Sequence, residues 1–132
     1  MQYLLDTNIV SDIVRRPQGK SVAQLAKVGS DAVFTSIVVA AELRFGAIRR
    51  QSATLTTQLE LVLGSLRVLP LETPADEFYG EIRCDLERRG LPIGPNDLLI
   101  AAHAIAQDAT LVTDNEREFA RIKDLKIENW LR

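Results

Sequence analysis

The chain predicts an α/β fold in which a short central parallel β-sheet is flanked by helices, a three-layer sandwich. Three observations predict it. Short apolar runs suited to buried strands alternate with stretches that repeat at helical spacing. The joints between them are brief and marked by Gly, Pro, Asp and Asn. The 132 residues, 46% of them hydrophobic, supply one core and one domain spanning 1–132, and a lone cysteine leaves that core no disulfide to lean on.

Tyr3-Leu4-Leu5 reads as a buried strand, halted by the turn-favouring Asp6-Thr7-Asn8. Ile9, Ile13 and Val14 mark a short helix broken by Pro17 and Gly19, and Ser21–Val28 forms a second that stops at Gly29. Ala32–Thr35 is a strand, and Ser36 caps a helix running to about Arg50. A helix over Ala53–Leu63 leads to a strand over Arg67–Leu71. From Thr73 to Gly90 the helix signals are clearest: Thr73 as cap, Pro74 at the first position, Asp76 and Glu77 in the first turn, Gly90 after the end. Its buried stripe is Ala75, Phe78, Tyr79, Ile82 and Leu86. Pro95–Gln107 is apolar nearly all round and therefore central. Thr110–Thr113 is a fourth strand, Glu116–Ile122 a helical turn, and Lys126–Glu128 a last edge strand.

The composition excludes several classes. No apolar stretch is long enough to span a membrane, and the N-terminus lacks the basic start of a signal peptide, so a cytoplasmic protein is expected. The net charge of -2 argues against a nucleic-acid binder. That objection weakens if acids gather at a metal site, since setting four aside leaves the remainder at +2. There is no Gly-rich phosphate loop, no zinc-type Cys/His spacing and no Gly-x-Ser-x-Gly elbow.

The acids carry the chemistry. In parallel sheets, sites form outside the carboxyl ends of the strands. Asp6 directly follows a strand, although Asp there also suits a helix cap. Glu42 is the one polar residue in Ile37–Leu43 and shares a face with residues that want burial, where a carboxylate needs a metal or a partner such as Arg44 or Arg49. Asp97 opens the most apolar helix, where the helix dipole also favours an acid. Asp114 and Asn115 follow the fourth strand, and Asn115 with Glu118 fits a capping box. Three or four converging carboxylates suit Mg²⁺, with Mn²⁺ as a substitute, and such an ion can activate water against a phosphodiester. His103 and Trp130 read as structural, and Cys84 as inert. Arg44, Arg49, Arg50, Arg83, Arg88 and Arg89 read either as basic rims for RNA phosphates or as solvated helix faces.

Leu4-Leu5-Asp6-Thr7-Asn8 resembles the opening of a PIN domain, and the similarity continues along nearly the whole chain. Glu42-Leu43-Arg44-Phe45-Gly46, Gly90–Asp97 and Leu111–Phe119 resemble the family's later acidic segments, in order, and Ile127–Trp130 resembles its ending. The resemblance, closest to the VapC toxins of VapBC toxin–antitoxin pairs, implies a PIN-like fold and a metal-dependent endoribonuclease. It implies Asp6, Glu42 and Asp97 as catalytic, metal-binding acids, with Thr7, Asn8, Ser36 and Thr113 supporting them or contacting substrate. The family commonly carries a fourth acid two residues after the threonine at 113. Here that residue is Asn115 and the acid is Asp114, so either Asp114 turns inward or Asn115 serves through its amide oxygen or a water. A homodimer, a small antitoxin partner, and DNA contact only through that antitoxin are also implied. The competing readings are a PIN-like module that binds without cutting and a phospho-acceptor domain; the latter lacks a suitably placed lysine near the later strand ends.

Overall fold

The apolar run Tyr3–Leu5 becomes β1, and it lies in the middle of the sheet because both of its edges are taken. In the computed structural model, which describes residues 1–132, the chain continues through α1 (Thr7–Arg15), α2 (Lys20–Val28), a 3₁₀ turn, β2 (Val33–Ser36), α3 (Ile37–Arg50), α4 (Ala53–Ser65) and β3 (Arg67–Leu69). Then come α5 (Ala75–Arg88), α6 (Pro95–Ala106), β4 (Thr110–Val112), α7 (Glu116–Phe119) and β5 (Ile127–Glu128). All four ladders are parallel and the strand order is β3-β2-β1-β4-β5. Parallel neighbours need crossovers, and helices supply them. Leu4, Leu5, Phe34, Leu111 and Val112 are at most 1% exposed, as expected of strands covered on both faces.

This order has a switch point. From β1 the chain steps outward to β2 and β3, then returns to the other side of β1 to add β4 and β5. At the carboxyl ends of β1 and β4 the outgoing segments diverge, which leaves a crevice there. The register Leu5↔Val112 places Asp6 and Thr113 side by side at its floor.

Helix starts follow local chemistry, with one exception. Ser36 caps α3 by accepting a hydrogen bond from the Val38 amide at 3.1 Å, and its Oγ also lies 2.8 Å from Nδ1 of the buried His103 on α6. On α5, Thr73 is not the cap: Pro74 itself takes the capping position, and no side chain bonds the first turn. Pro74 has φ -93° and ψ 21°, outside the helical region, so the helix starts one residue later than the Thr-Pro signal suggests. The end of α5 is as expected. Gly90 has φ +67°, its amide donates to the Glu87 carbonyl, and the Leu91 amide donates to the Leu86 carbonyl at 2.9 Å, a Schellman closure that favours glycine.

Helix α6 is central, with Leu98, Ile100, Ala101, Ala102, His103 and Ala104 buried. Helix α3 departs from expectation. Only Val39, Ala40 and Ala47 of it are buried, while Ile37, Phe45 and Ile48 face solvent. Glu42 is therefore half-buried at the helix's edge rather than enclosed among apolar neighbours. At the far end, Trp130 packs its ring 5.6 Å from that of Tyr3 and ties the C-terminal segment to β1.

Replacing Ser36 by Ala removes the cap of α3 and strips His103 Nδ1 of its partner in a dry core. The expected cost is about 1–3 kcal/mol in denaturant unfolding, with most of it recovered in Ser36→Thr.

Candidate active site

Asp6 is the first residue past β1 and is only 4% exposed. Its amide donates to the Val112 carbonyl, so the backbone stays stitched to β4 as the side chain turns into the crevice. Oδ2 accepts from the Thr113 hydroxyl at 2.7 Å and from the Asn8 amide at 3.5 Å; Oδ1 accepts from the Thr7 amide at 2.8 Å. Asp6 is thus both the cap of α1 and a member of the site. Burial raises its carboxyl above the ordinary value, the Thr113 and Thr7 bonds pull it back, and the charge of Glu42 adds to the rise.

Glu42 arrives from α3, one and a half turns past its Ser36 cap. Its Oε1 accepts from the Thr7 hydroxyl at 2.7 Å and its Oε2 from the Asn96 amide at 3.4 Å. Neither Arg44 nor Arg49 pairs with it: Arg44 pairs with Glu60, and Arg49 lies over the Phe45 ring. Asp97 projects from the first turn of α6, and its pKa is raised to about 6. Burial is the largest cause, followed by the charges of Asp6, Glu118 and Glu42 and a hydrogen bond shared with Glu118. Asp6, Glu42 and Asp97 line one open cavity of ≈ 410 Å³ together with Thr7, Asn8 and Asn115.

Acids so arranged are unpaired, since no arginine or lysine forms an ion pair with any of the three. They are the hard oxygen donors that a divalent cation seeks. No three of them stand close enough to ligate a single ion directly. That spacing suits an ion such as Mg²⁺, which keeps several waters and is held by one or two carboxylates, the others reached through water.

A family model for the PIN domain matches residues 3–125. The chain belongs to the PIN-domain family. Among its relatives, Ribonuclease VapC2 of Rickettsia felis is 42% identical over 98% of both chains, and the tRNA(fMet)-specific endonuclease VapC of Salmonella typhimurium is 34% identical over 98% of both. The crystal structure of VapBC2 from Rickettsia felis, bound to a promoter DNA fragment, contains a chain that superposes with a TM-score of 0.88 at 39% identity, covering 98% of this chain and 99% of that one. A chain of the DNA-bound VapBC from Salmonella typhimurium superposes at 0.86 with 32% identity, covering 98% of each.

Within this PIN domain the fourth position is corrected. Asp114 is exposed and turned away: its Oδ1 accepts from the Asn129 amide, and its backbone amide donates to Asn8 Oδ1 at 3.0 Å. Thr113 is the residue that turns inward at the end of β4, so the next side chain leaves on the other side. Asn115 lines the cavity and stands at the N-cap position of α7, but its side chain makes no capping bond. Its backbone amide donates to the Thr113 hydroxyl, and its side-chain amide donates to Glu118 Oε2 at 3.0 Å. Glu118, readable from sequence only as the second half of a capping box, is instead the acid beside Asp97. A glutamate in the first turn after the last strand at the switch point was the signal for it.

The supporting residues divide. Thr7, Asn8 and Thr113 bond directly to the acids, whereas Ser36 is fully buried and serves α3 and His103 instead. Of the six arginines expected as rims, only Arg49 and Arg50 line the cavity, joined by Arg15 from the last turn of α1, which sequence reasoning missed. Arg83 and Arg89 are held by Glu87 and Asp85 along α5.

The raised Asp97 carboxyl sets a pH dependence. The folded state holds its proton more tightly than the unfolded chain, so its stability contribution is full below about 4 and lost as pH rises through about 6. In EDTA, Asp97→Asn should therefore melt higher than wild type at pH 7.5, with the gap closing towards pH 4.5. An equal melting difference at both pH values would reduce Asp97 to a helix-dipole residue.

Proposed function

We propose that this chain is a metal-dependent endoribonuclease, a single PIN domain over residues 1–132 acting as the toxin of a type II toxin–antitoxin pair. The observation that carries the reading is the set Asp6, Glu42 and Asp97 in one cavity at the switch point, with Asp97 pushed to about 6 by burial first and by its acidic neighbours second. The names of the relatives, ribonucleases and a tRNA-specific endonuclease, support RNA as substrate. Asp6, Asp97 and Glu42 would hold Mg²⁺, or Mn²⁺ in its place, with Asn115 on the same cavity and Glu118 behind it, bonded to Asn115 and beside Asp97. When bound, the cation supplies an activated water and charge stabilisation at a phosphodiester.

The chain's own residues perform the rest. Thr113 and Thr7 fix Asp6 in one rotamer by direct hydrogen bonds, and Thr7 at the same time holds Glu42 by its hydroxyl. Thr7 thus sets the spacing of the two acids. Asn115 steadies Glu118, whose charge helps to raise the Asp97 carboxyl. Arg15, Arg49 and Arg50 supply positive charge on the same cavity, where phosphates flanking the scissile bond would lie. Direct attack of water on phosphorus leaves 5′-phosphate and 3′-hydroxyl ends.

Structural relatives solved as VapBC complexes, two of them on DNA, support a small antitoxin through which any DNA contact runs; a toxin homodimer is proposed on the family resemblance alone. No helix is long and apolar enough to cross a membrane, which fits a cytoplasmic pair.

Purified protein should cut single-stranded or loop RNA with Mg²⁺ and stop in EDTA. Asp6→Asn and Glu118→Gln should lose at least about tenfold in rate, while Asp114→Asn cuts as wild type does. Cutting that persists in EDTA, or in Asp6→Asn, would exclude the mechanism. Expression of the toxin alone should arrest growth; co-expression with the adjacent small reading frame should restore growth and yield a copurifying complex.

A further inference from the structure

The apolar face that α3 leaves open is not an isolated patch. Ile37, Ala41 and Phe45 recur every four residues along it, and with Val38 they floor an open groove of ≈ 710 Å³. Phe45 is 62% exposed and Ile37 49%, large values for such residues beside a polar site. The groove shares Thr7, Glu42, Gly46 and Arg49 with the acid cavity, so the two form one continuous channel. Its far wall carries Asn96, whose amide reaches Glu42.

Phe45 lies three residues past Glu42, about 4.5 Å further along the helix axis. Arg49, one turn on, holds its guanidinium 5.4 Å from the centre of the Phe45 ring. An exposed aromatic ring with a cation over one face, adjoining a place where a phosphate is cut, is an arrangement that binds an unpaired nucleotide: the base stacks on the face the arginine leaves open, and the arginine meets the phosphate. A protein partner alone would explain an apolar shelf. It would not explain why the shelf opens into the acid cavity and carries a free arginine there. The other exposed large apolar side chains, Met1, Ile48, Leu61 and Leu91, line neither the groove nor the cavity.

Resting on the ribonuclease reading, we propose that Phe45 and Arg49 form a stacking subsite for the unpaired base of the nucleotide adjoining the scissile phosphate. The subsite restricts the substrate to single-stranded or looped RNA, because a paired base cannot leave its stack to reach the ring. The ring is sequence-tolerant, since every base has a π-face.

The test uses the cleavage-blocked Asp6→Asn protein and a short single-stranded RNA carrying 2-aminopurine, whose fluorescence falls on stacking. Quenching is expected with Phe45 present. Adding Phe45→Ala or Phe45→Leu should remove the quenching and weaken binding about 5- to 100-fold, the range of one lost base–aromatic stack. Phe45→Tyr should restore both, and melting temperatures should hardly change because the side chain is exposed. In the otherwise wild-type enzyme, Phe45→Ala should raise KM more than it lowers kcat. Unchanged RNA affinity in Phe45→Ala, with wild-type cutting intact, overturns the subsite and leaves the ribonuclease reading standing. The same result with loss of the copurifying small protein assigns the shelf to that partner. Failure of the wild-type protein to cut any RNA overturns both.

Discussion

The hydrogen bond from Thr113 to Asp6 is the interaction on which the site depends. It joins residues 107 positions apart across the two central strands and lies wholly within the buried floor of the crevice. A carboxylate this deep is costly unless its oxygens are satisfied, and Asp6 is satisfied by Thr113, Thr7 and Asn8 together. Thr113 also accepts from the Asn115 amide, and Thr7 also grips Glu42. Position, charge and rotamer of the acids therefore come from two threonines more than from any direct contact between the acids themselves.

Those threonines are in place because of the strand order. With β1 central and parallel to both neighbours, the residues following β1 and β4 meet at one edge, and helices starting there deliver Glu42 and Asp97 to the same point. The helix starts bring unpaired amides and a favourable dipole to an acidic site. Repulsion among the acids remains, and it adds to burial, the larger cause, in raising Asp97 to about 6. The site is held by the rest of the fold in an arrangement its own charges oppose, which suits a place meant to receive a cation.

Much of this was legible in the sequence. Asp6, Glu42 and Asp97 each interrupt an apolar run or begin one, so pattern and position singled them out, and the alternation of strands and helices indicated a parallel sheet. What was not legible turned on direction over one or two residues. Whether Asp114 or its neighbour faces inward depends on how Thr113 leaves β4, and periodicity does not reach past a strand's last hydrogen bond. Glu118 has the spacing of a cap partner, and spacing alone cannot tell a bond to the Asn115 backbone from one to its side chain. Thr73 gave every local sign of a cap, yet Pro74 took that place. Glu42 looked enclosed because its neighbours are apolar, but α3 buries only a narrow stripe. That surplus of apolar surface, which is unusual for packing, left the groove beside the acids open.

The span of the Thr113–Asp6 bond bears on how such a protein is made. On the ribosome, Asp6 precedes Thr113 by 107 residues. Until then β1 lacks one flanking strand, Asp97 has no Glu118, and the floor of the crevice is missing. The acids are thereby brought together only once β4 and the segment beyond it exist, and a chain that stops short of Thr113 has no completed site.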